Sequence, residues 1–244
     1  MAQRIGHFEI GAAEFDGQID FYRELFGWQV QKVADGYAMV DTQAGSGLGG
    51  GIGKSSDGTP WVSFYVGASD LKATLLRAES LGGATELDVT VIPDLLTFAM
   101  FRDPDGNLVG LVESPDSDQA ETRGPSAGDG APVDWFEVLG ADAERTQRFY
   151  CDLFGWTPAA SGAPAYHLVQ AEEAGIGGGL GSGAGHVWAT LYAKVPDVEA
   201  TLAKAERLGG SRVYGPDQVD DHMKTGAFRD PASNVFGVYE HKDH

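Results

Sequence analysis

Apolar and polar residues recur with two different periods along this chain, and the periods predict a regular succession of strands and helices. Residues 5–11 alternate as a strand does, and Ile19, Tyr22 and Phe26 then lie three and four positions apart, as on one face of a helix. Gly27 is a suitable left-handed cap for the end of that helix. The remaining strands of this part of the chain are predicted at 28–33, 37–42, 61–66, 84–89, 95–102 and 108–113.

A second helix is predicted between Asp70 and Gly82. The Asp70 side chain can accept a hydrogen bond from the first turn, and Gly82 can terminate the last one. Asp197 and Gly209 flank a similar stretch further along. The glycine-rich segment 45–53 is predicted as a loop or a strand, because turn-forming residues crowd there.

The whole pattern occurs twice. The segment FYRELFGW at 21–28 returns as FYCDLFGW at 149–156, and the FRDP that begins at Phe101 returns at Phe228. The offset is 128 residues early in the repeat and 127 late in it. Repetition in this order indicates a tandem duplication, and we call the two repeats the first and the second copy. We predict two domains and a Ser-, Asp-, Gly- and Pro-rich linker, at 1–115, 132–244 and 116–131 respectively.

The composition narrows the range of partners. With 36 acidic and 17 basic residues among 244, the formal net charge of −19 repels phosphate backbones and anionic lipids, so we expect no nucleic-acid and no membrane partner. No apolar run is long enough to span a bilayer, and we expect no signal peptide, because the residues before the first strand lack its charged and apolar regions. The single Cys151 can form no intrachain disulfide. We expect a cytoplasmic protein.

Several motifs together resemble one family. They are His7 fourteen residues before Phe21, the Phe21-Tyr22 pair, the LFGW helix ending, the DLKATL helix start, the LGG helix stop and the turn at 103–107. Their order, seen twice and over nearly the whole chain outside the linker, resembles the vicinal oxygen chelate superfamily. That superfamily includes glyoxalase I, bleomycin and fosfomycin resistance proteins and extradiol dioxygenases.

The resemblance implies an α+β fold with tandem glyoxalase-like domains. Each domain would comprise two βαβββ modules that form a cup-shaped mixed sheet around a cavity for a small-molecule ligand. The two domains would pair with each other internally, within a monomer or a homodimer.

The resemblance also implies where a metal would be held in family members that use one. The three ligand positions fall, in the first and second copies, at His7 and Trp135, at Ser63 and Thr190, and at Gly110 and Gly237. A divalent metal needs several converging nitrogen or carboxylate donors, and catalytic sites usually offer at least three. We therefore predict no metal and no other cofactor, and keep a relocated divalent metal as the alternative.

Three polar residues are candidates for catalysis. Glu9 lies two residues from His7, so both share one face of the strand, and they could form a weak metal site, an acid and base pair, or a hydrogen-bonded pair that lines the cavity. His222 is a polar residue near the last hairpin, where the first copy has Leu95, Leu96 and Thr97. All these alternatives stay open.

Aromatic residues predict the character of the ligand. If Ser63 and Thr190 face the cavity, Tyr65 and Tyr192 do so as well, since alternate strand residues share a face. A lining of aromatic rings with few polar anchors suits a planar or apolar organic molecule. The predicted ligand-binding residues are Ser63, Tyr65, Trp135, Glu137, Thr190 and Tyr192.

The glycine run also fits a nucleotide motif, but only in part. Residues 45–50 match G-x-G-x-x-G, and Gly53-Lys54-Ser55 is similar to the end of a phosphate-binding P-loop. The P-loop would need its first glycine where the chain has Leu48, and both motifs need a helix directly afterwards. A turn that contains Pro60 follows instead. The glycine run therefore predicts that backbones approach each other closely here. Whether its backbone amides also contact a ligand stays open.

Three functions compete. The favoured one is a metal-independent small-molecule binder of the bleomycin resistance type, because neither copy keeps the full set of expected metal ligands. The second is a glyoxalase-like or dioxygenase-like enzyme, a lyase or isomerase, that uses His7 and Glu9, His222 or a relocated metal. The third is a structural or protein-interaction role.

Overall fold

The computed structural model describes residues 2–93, 96–114, 125–183 and 185–242. The elements of the first copy are β1 Ile5–Ala12, α1 Phe15–Phe26, β2 Gln29–Ala34, β3 Tyr37–Asp41, β4 Gly50–Lys54, β5 Trp61–Ala68, α2 Leu71–Ser80, β6 Ala84–Ile92, β7 Leu96–Arg102 and β8 Leu108–Glu113. Those of the second copy are β9 Val133–Gly140, α3 Ala143–Phe154, β10 Ala159–Ala160, β11 Tyr166–Val169, α4 Ala171–Ala174, β12 Gly177–Ser182, β13 Trp188–Lys194, α5 Val198–Arg207, β14 Ser211–Gln218, β15 Met223–Arg229 and β16 Val235–His241.

The element order confirms four βαβββ modules, two in each copy. The strands form two eight-stranded mixed sheets, in the orders β2-β3-β4-β1-β5-β8-β7-β6 and β10-β11-β12-β9-β13-β16-β15-β14. The one-turn helix α4 was not predicted, and the predicted strand start at Leu95 and most of the linker lie outside the described residues. None of the described helices is long and apolar enough to cross a membrane.

The helices begin and end where their cap residues predict. Gly27 and Gly155 adopt left-handed φ angles of 73° and 74° after α1 and α3. The side chains of Asp70 and Asp197 each accept a backbone N–H of the first turn at 2.9 Å, from Ala73 and Ala200 respectively. Local sequence therefore sets the bounds of these elements.

The chain divides into two compact units, each built from parts of both copies. The first unit holds residues up to His7, the half of the first copy that starts at Ser63, and the second copy from Trp135 to Ala189. The second unit holds 8–62, the end of the linker up to Asp134, and the chain from Thr190 onward.

The core of the second unit is aromatic. The Tyr22 ring stacks on Trp28 with 5.4 Å between centroids, and Phe8 and Phe236 contact the same indole at 5.4 and 6.0 Å. Asp230, in the turn before β16, accepts the Tyr22 hydroxyl at 3.1 Å. This bond ties helix α1 to the β15–β16 hairpin.

The first unit repeats this arrangement. The Tyr150 ring stacks on Trp156 at 6.3 Å, and Phe136 contacts the same indole at 5.3 Å. Asp103 accepts the Tyr150 hydroxyl at 2.9 Å. The repeated FY and DP motifs are therefore partners in one buried contact, and the spacing along the sequence had not shown this.

Candidate functional site

Strand β1 has one face packed on a helix and one face turned away from it, which we call the helix-free face. Phe8 and Ile10 are fully buried, and the Phe8 ring packs on Trp28 at the end of α1. His7 and Glu9 alternate with them and are partly exposed. The two predicted polar residues therefore lie on the helix-free face of the strand.

In the first unit, His7 contacts the predicted ligand-binding residue Tyr65. The two rings meet edge to face with 5.9 Å between centroids. Although the residue as a whole is partly exposed, burial of its ring by the surrounding protein lowers the pKa of His7 to about 4. At neutral pH His7 is therefore an uncharged imidazole.

The residues at the expected metal positions of the first copy do not form a metal site. The Ser63 hydroxyl donates to the Leu108 carbonyl at 3.1 Å. Tyr65 pairs with Gly110, and a β-carbon added to Gly110 would lie 2.3 Å from the Tyr65 Cδ1 atom. The tyrosine ring thus occupies the space that an acidic ligand at Gly110 would need.

The second unit repeats this obstruction in the second copy. The Thr190 hydroxyl donates to the Val235 carbonyl at 2.7 Å. A β-carbon on Gly237 would lie 2.2 Å from Tyr192 Cδ1, and the Tyr192 hydroxyl lies 3.0 Å from that of Tyr214. Across 2–93, 96–114, 125–183 and 185–242, no group of three or more His, Cys, Asp and Glu residues could hold a metal ion. The donors present do not fit the family's metal.

Glu137 lies at the centre of a closed hydrogen-bonded group in the first unit. Its carboxylate accepts the Tyr166 hydroxyl at 3.0 Å and the Trp188 indole N–H at 2.8 Å. Trp135 shares the helix-free face of β9 and is partly exposed. Neither Tyr166 nor Trp188 was predicted to belong to the site, although each has a counterpart at the same place in the first copy, Tyr37 and Trp61.

The second unit contains the matching residues Glu9, Tyr37 and Trp61. Burial, and then the charge of Glu9, raise the pKa of Tyr37, so its hydroxyl stays protonated. The Trp61 Nε1 atom is buried, and no acceptor for it is found among the residues that the structure describes. Leaving a buried donor unpaired costs about 1–3 kcal/mol. The two groups of Glu, Tyr and Trp therefore have the same composition, but only the tryptophan of the second copy donates a hydrogen bond to its glutamate.

The glycine-rich segment 45–53 enters strand β4 at Gly50, and aromatic rings lie across this strand on both sides. A β-carbon on Gly50 would lie 2.4 Å from the Phe8 ring, and one on Gly51 would lie 2.1 Å from the Tyr37 hydroxyl. In β12, Gly178 and Gly179 stand in the same relation to Phe136 and Tyr166, at 2.1 and 1.9 Å. The glycines are needed because the aromatic side chains occupy the space of their missing β-carbons.

His222 lies in the exposed β14–β15 hairpin. Its backbone N–H donates to the Asp220 carboxylate at 2.8 Å, and its ring lies 6.5 Å from that of His241. His222 was predicted because the first copy has Leu95, Leu96 and Thr97 in the corresponding region, and Leu95 lies outside the described residues. The catalytic role of His222 stays a prediction.

Both copies match known families. Residues 4–111 match the family described as Glyoxalase/Bleomycin resistance protein/Dioxygenase superfamily, and residues 135–239 match the Glyoxalase-like domain family. The fold and the two matches define a tandem glyoxalase-like protein. The chain belongs to the glyoxalase/bleomycin resistance protein/dioxygenase superfamily.

Curated relatives cover one or both copies. The chain is 24% identical over 232 residues to "Putative glyoxylase CFP32" of Mycobacterium tuberculosis, which covers 89% of this chain and 87% of the relative. It is 27% identical over 121 residues to a glyoxylase-like domain-containing protein of Didymella fabae, covering 46% of this chain and 94% of that protein.

Solved structures share the fold. A Mn(II)-bound glyoxalase from Novosphingobium aromaticivorans superposes with a TM-score of 0.69 at 13% identity, covering 98% of this chain and 82% of the other. The 2,3-dioxygenase LapB from Pseudomonas sp. KL28 superposes with a TM-score of 0.63 at 14% identity, covering 99% and 93%. At these identities the likeness concerns the fold alone.

Proposed function

We propose that this protein binds a small organic molecule without a metal ion. The observation that carries the proposal is the tyrosine ring of Tyr65 lying over Gly110, with Tyr192 over Gly237 in the second copy. Where the family's acidic metal ligand is expected, each copy has a tyrosine ring, and both tyrosines are buried. Walls built from such rings favour a planar or apolar organic ligand over a hydrated cation.

The polar groups nearby suit hydrogen bonding better than metal coordination. The Ser63 and Thr190 hydroxyls already donate hydrogen bonds to backbone carbonyls. As neutral hydroxyls they are not strong ligands for a cation. His7 is uncharged and can exchange hydrogen bonds with a neutral ligand. Ligand binding of the bleomycin resistance type therefore remains the favoured function.

An enzymatic role is the second candidate, and His7 is the observation that favours it. An uncharged imidazole on the helix-free face can accept a proton from a bound substrate, as a lyase or isomerase requires. The curated relative named as a glyoxylase supports the same direction. In that case His7→Ala removes turnover while the fold is retained, and Glu9→Gln tests the second predicted catalytic residue.

Native mass spectrometry of protein purified without chelator tests the metal-free proposal. We expect the mass of the bare 244-residue chain or of the chain with an organic adduct. A stoichiometric Mn, Fe, Ni or Zn adduct that survives desalting would overturn the proposal. A chelator-treated sample of the same preparation is the matched control.

A fluorescence titration tests ligand binding itself. Neutral aromatic compounds are expected to quench tryptophan emission and to be recovered chemically unchanged. Conversion of the compound would instead support the enzymatic candidate. Parallel titrations of His7→Ala then separate a loss of turnover from a loss of binding.

A further inference from the structure

The two copies hold the same tryptophan differently. Trp188 donates its indole N–H to Glu137 at 2.8 Å, whereas the buried N–H of Trp61 finds no acceptor within the described part of the chain. Glu9, the counterpart of Glu137, is present in the first copy as well. The difference therefore does not come from loss of the carboxylate.

One substitution between the copies lies directly at this indole. The Trp61 ring lies against Gly11, where a β-carbon would be 2.2 Å from the indole Cδ2 atom. At the matching position, 128 residues later, the second copy has Leu139. Trp188 instead stacks on His186, with 4.6 Å between centroids and an interplanar angle of 19°. Glycine at position 11 thus permits the indole position that leaves its N–H unpaired.

We propose that the Trp61 N–H donates to a carbonyl oxygen of a neutral ligand, and that the first copy alone binds ligand in this way. This inference rests on the proposed function and names the class of ligand. A buried donor without a protein acceptor is rare in native proteins, and a ligand acceptor is one way to satisfy it. In the second copy Glu137 already takes that hydrogen bond.

The negative charge of Glu9, which lies beside Trp61, disfavours a charged ligand group as the acceptor of the indole N–H. A β-carbon on Gly53 would lie 2.8 Å from Glu9 Oε1 and 3.4 Å from Trp61 Cζ2, so the carboxylate and the indole flank the same glycine. A ligand carboxylate at the indole would face the charge of Glu9 at short range. An amide or ketone oxygen accepts the same hydrogen bond without that repulsion.

The indole signals in a ¹H–¹⁵N spectrum report this contact directly, since the chain has five tryptophans. Benzamide and benzoate are matched probes that share a shape and differ in charge. Benzamide is expected to move the Trp61 indole signal downfield in a saturable titration, and benzoate is expected to leave it in place. Trp61→Phe identifies the signal and is expected to weaken benzamide binding about tenfold.

Two further variants control for fold and for copy. Trp188→Phe makes the same change in the second copy and identifies the Trp188 indole signal, which is expected to stay in place when benzamide is added to the wild type. Gly11→Leu gives the first copy the residue of the second and is expected to abolish the Trp61 shift. Thermal melting checks that each variant folds, and Trp61→Phe keeps the inference testable if Gly11→Leu does not.

The outcomes separate this inference from the proposed function. If benzamide binds but moves other indole signals while Trp61 stays in place, the inference is overturned and metal-free binding survives. Equal shifts with benzoate overturn the neutral ligand class. If the Trp61 N–H exchanges rapidly with water and no probe shifts it, water is its partner and the inference fails. Absence of all binding, by fluorescence as well, overturns both proposals.

Discussion

At the scale of single residues, burial decides the charge of two groups in the first unit. It lowers the pKa of His7 to about 4 and, ahead of the nearby Asp152 and Glu173 charges, raises the pKa of Cys151 to about 11. Both shifts favour the uncharged form, because a charge loses hydration energy inside the protein. At neutral pH Cys151 is therefore a thiol and a poor nucleophile.

Acidification should weaken the fold through His7. The unfolded chain binds a proton on His7 near pH 6.5, whereas the folded protein does so only near pH 4, so stability falls as the pH drops through this window. The loss approaches roughly 3 kcal/mol below pH 4. Urea unfolding of the wild type and His7→Asn at pH 7 and pH 4.5 measures it.

The His7→Asn variant should show a smaller fall in unfolding free energy between the two pH values than the wild type does. Val219→Ala changes an exposed residue that carries no titrating group, so it serves as the control and should behave like the wild type. An equal fall in wild type and His7→Asn would show that His7 does not carry the effect.

At the scale of elements, the glycine strands depend on neighbouring rings. Gly50→Ala forces a β-carbon into the buried Phe8 ring, and overpacking of this kind costs about 1–3 kcal/mol. Gly17→Ala, in helix α1 with open space around it, should instead stabilise by about 0.5 kcal/mol. Chemical denaturation measures both. A neutral Gly50→Ala would show that the Phe8 ring moves aside freely.

A buried tyrosine–aspartate hydrogen bond joins helix α1 to the turn at Asp230, and an equivalent bond joins helix α3 to the turn at Asp103. Tyr22→Phe and Tyr150→Phe each remove one hydroxyl from a buried aspartate, at 3.1 and 2.9 Å, and should each lower the unfolding free energy by about 1–3 kcal/mol. Unfolding by urea, with the two variants compared, checks this. No loss in either variant would mean that water replaces the hydroxyl.

At the scale of the whole molecule, the net charge of −19 opposes compaction. Raising NaCl from about 10 to 150 mM shortens the screening length from about 30 to 8 Å, which should raise the melting temperature by roughly 2–4 °C. Calorimetry at pH 7 measures the rise. The same salt series near pH 4.5, the isoelectric point of the sequence, should show almost none.

The local sequence pattern predicted the bounds of the helices but not the contacts between residues far apart in the chain. The helix bounds followed from Asp70, Gly27 and their repeats, because caps and left-handed glycines act within a few residues. The partnership of Tyr150 with Asp103 did not follow, since 47 residues separate them and only packing brings them together. The sequence did contain one signal for the missed site residues: Trp61 and Trp188 are repeated in both copies without an evident local role.

The sequence by itself determined the duplication, the order of the elements, the family, and the lack of a full set of the family's metal ligands at their usual positions. These follow from local periodicity and from residue identity at fixed spacing. Only the tertiary structure decided that Tyr65 covers Gly110, that Glu137 is bonded to Trp188, and that the N–H of Trp61 is buried without an acceptor among the described residues. Those outcomes depend on where side chains distant in the sequence meet, which local periodicity does not encode.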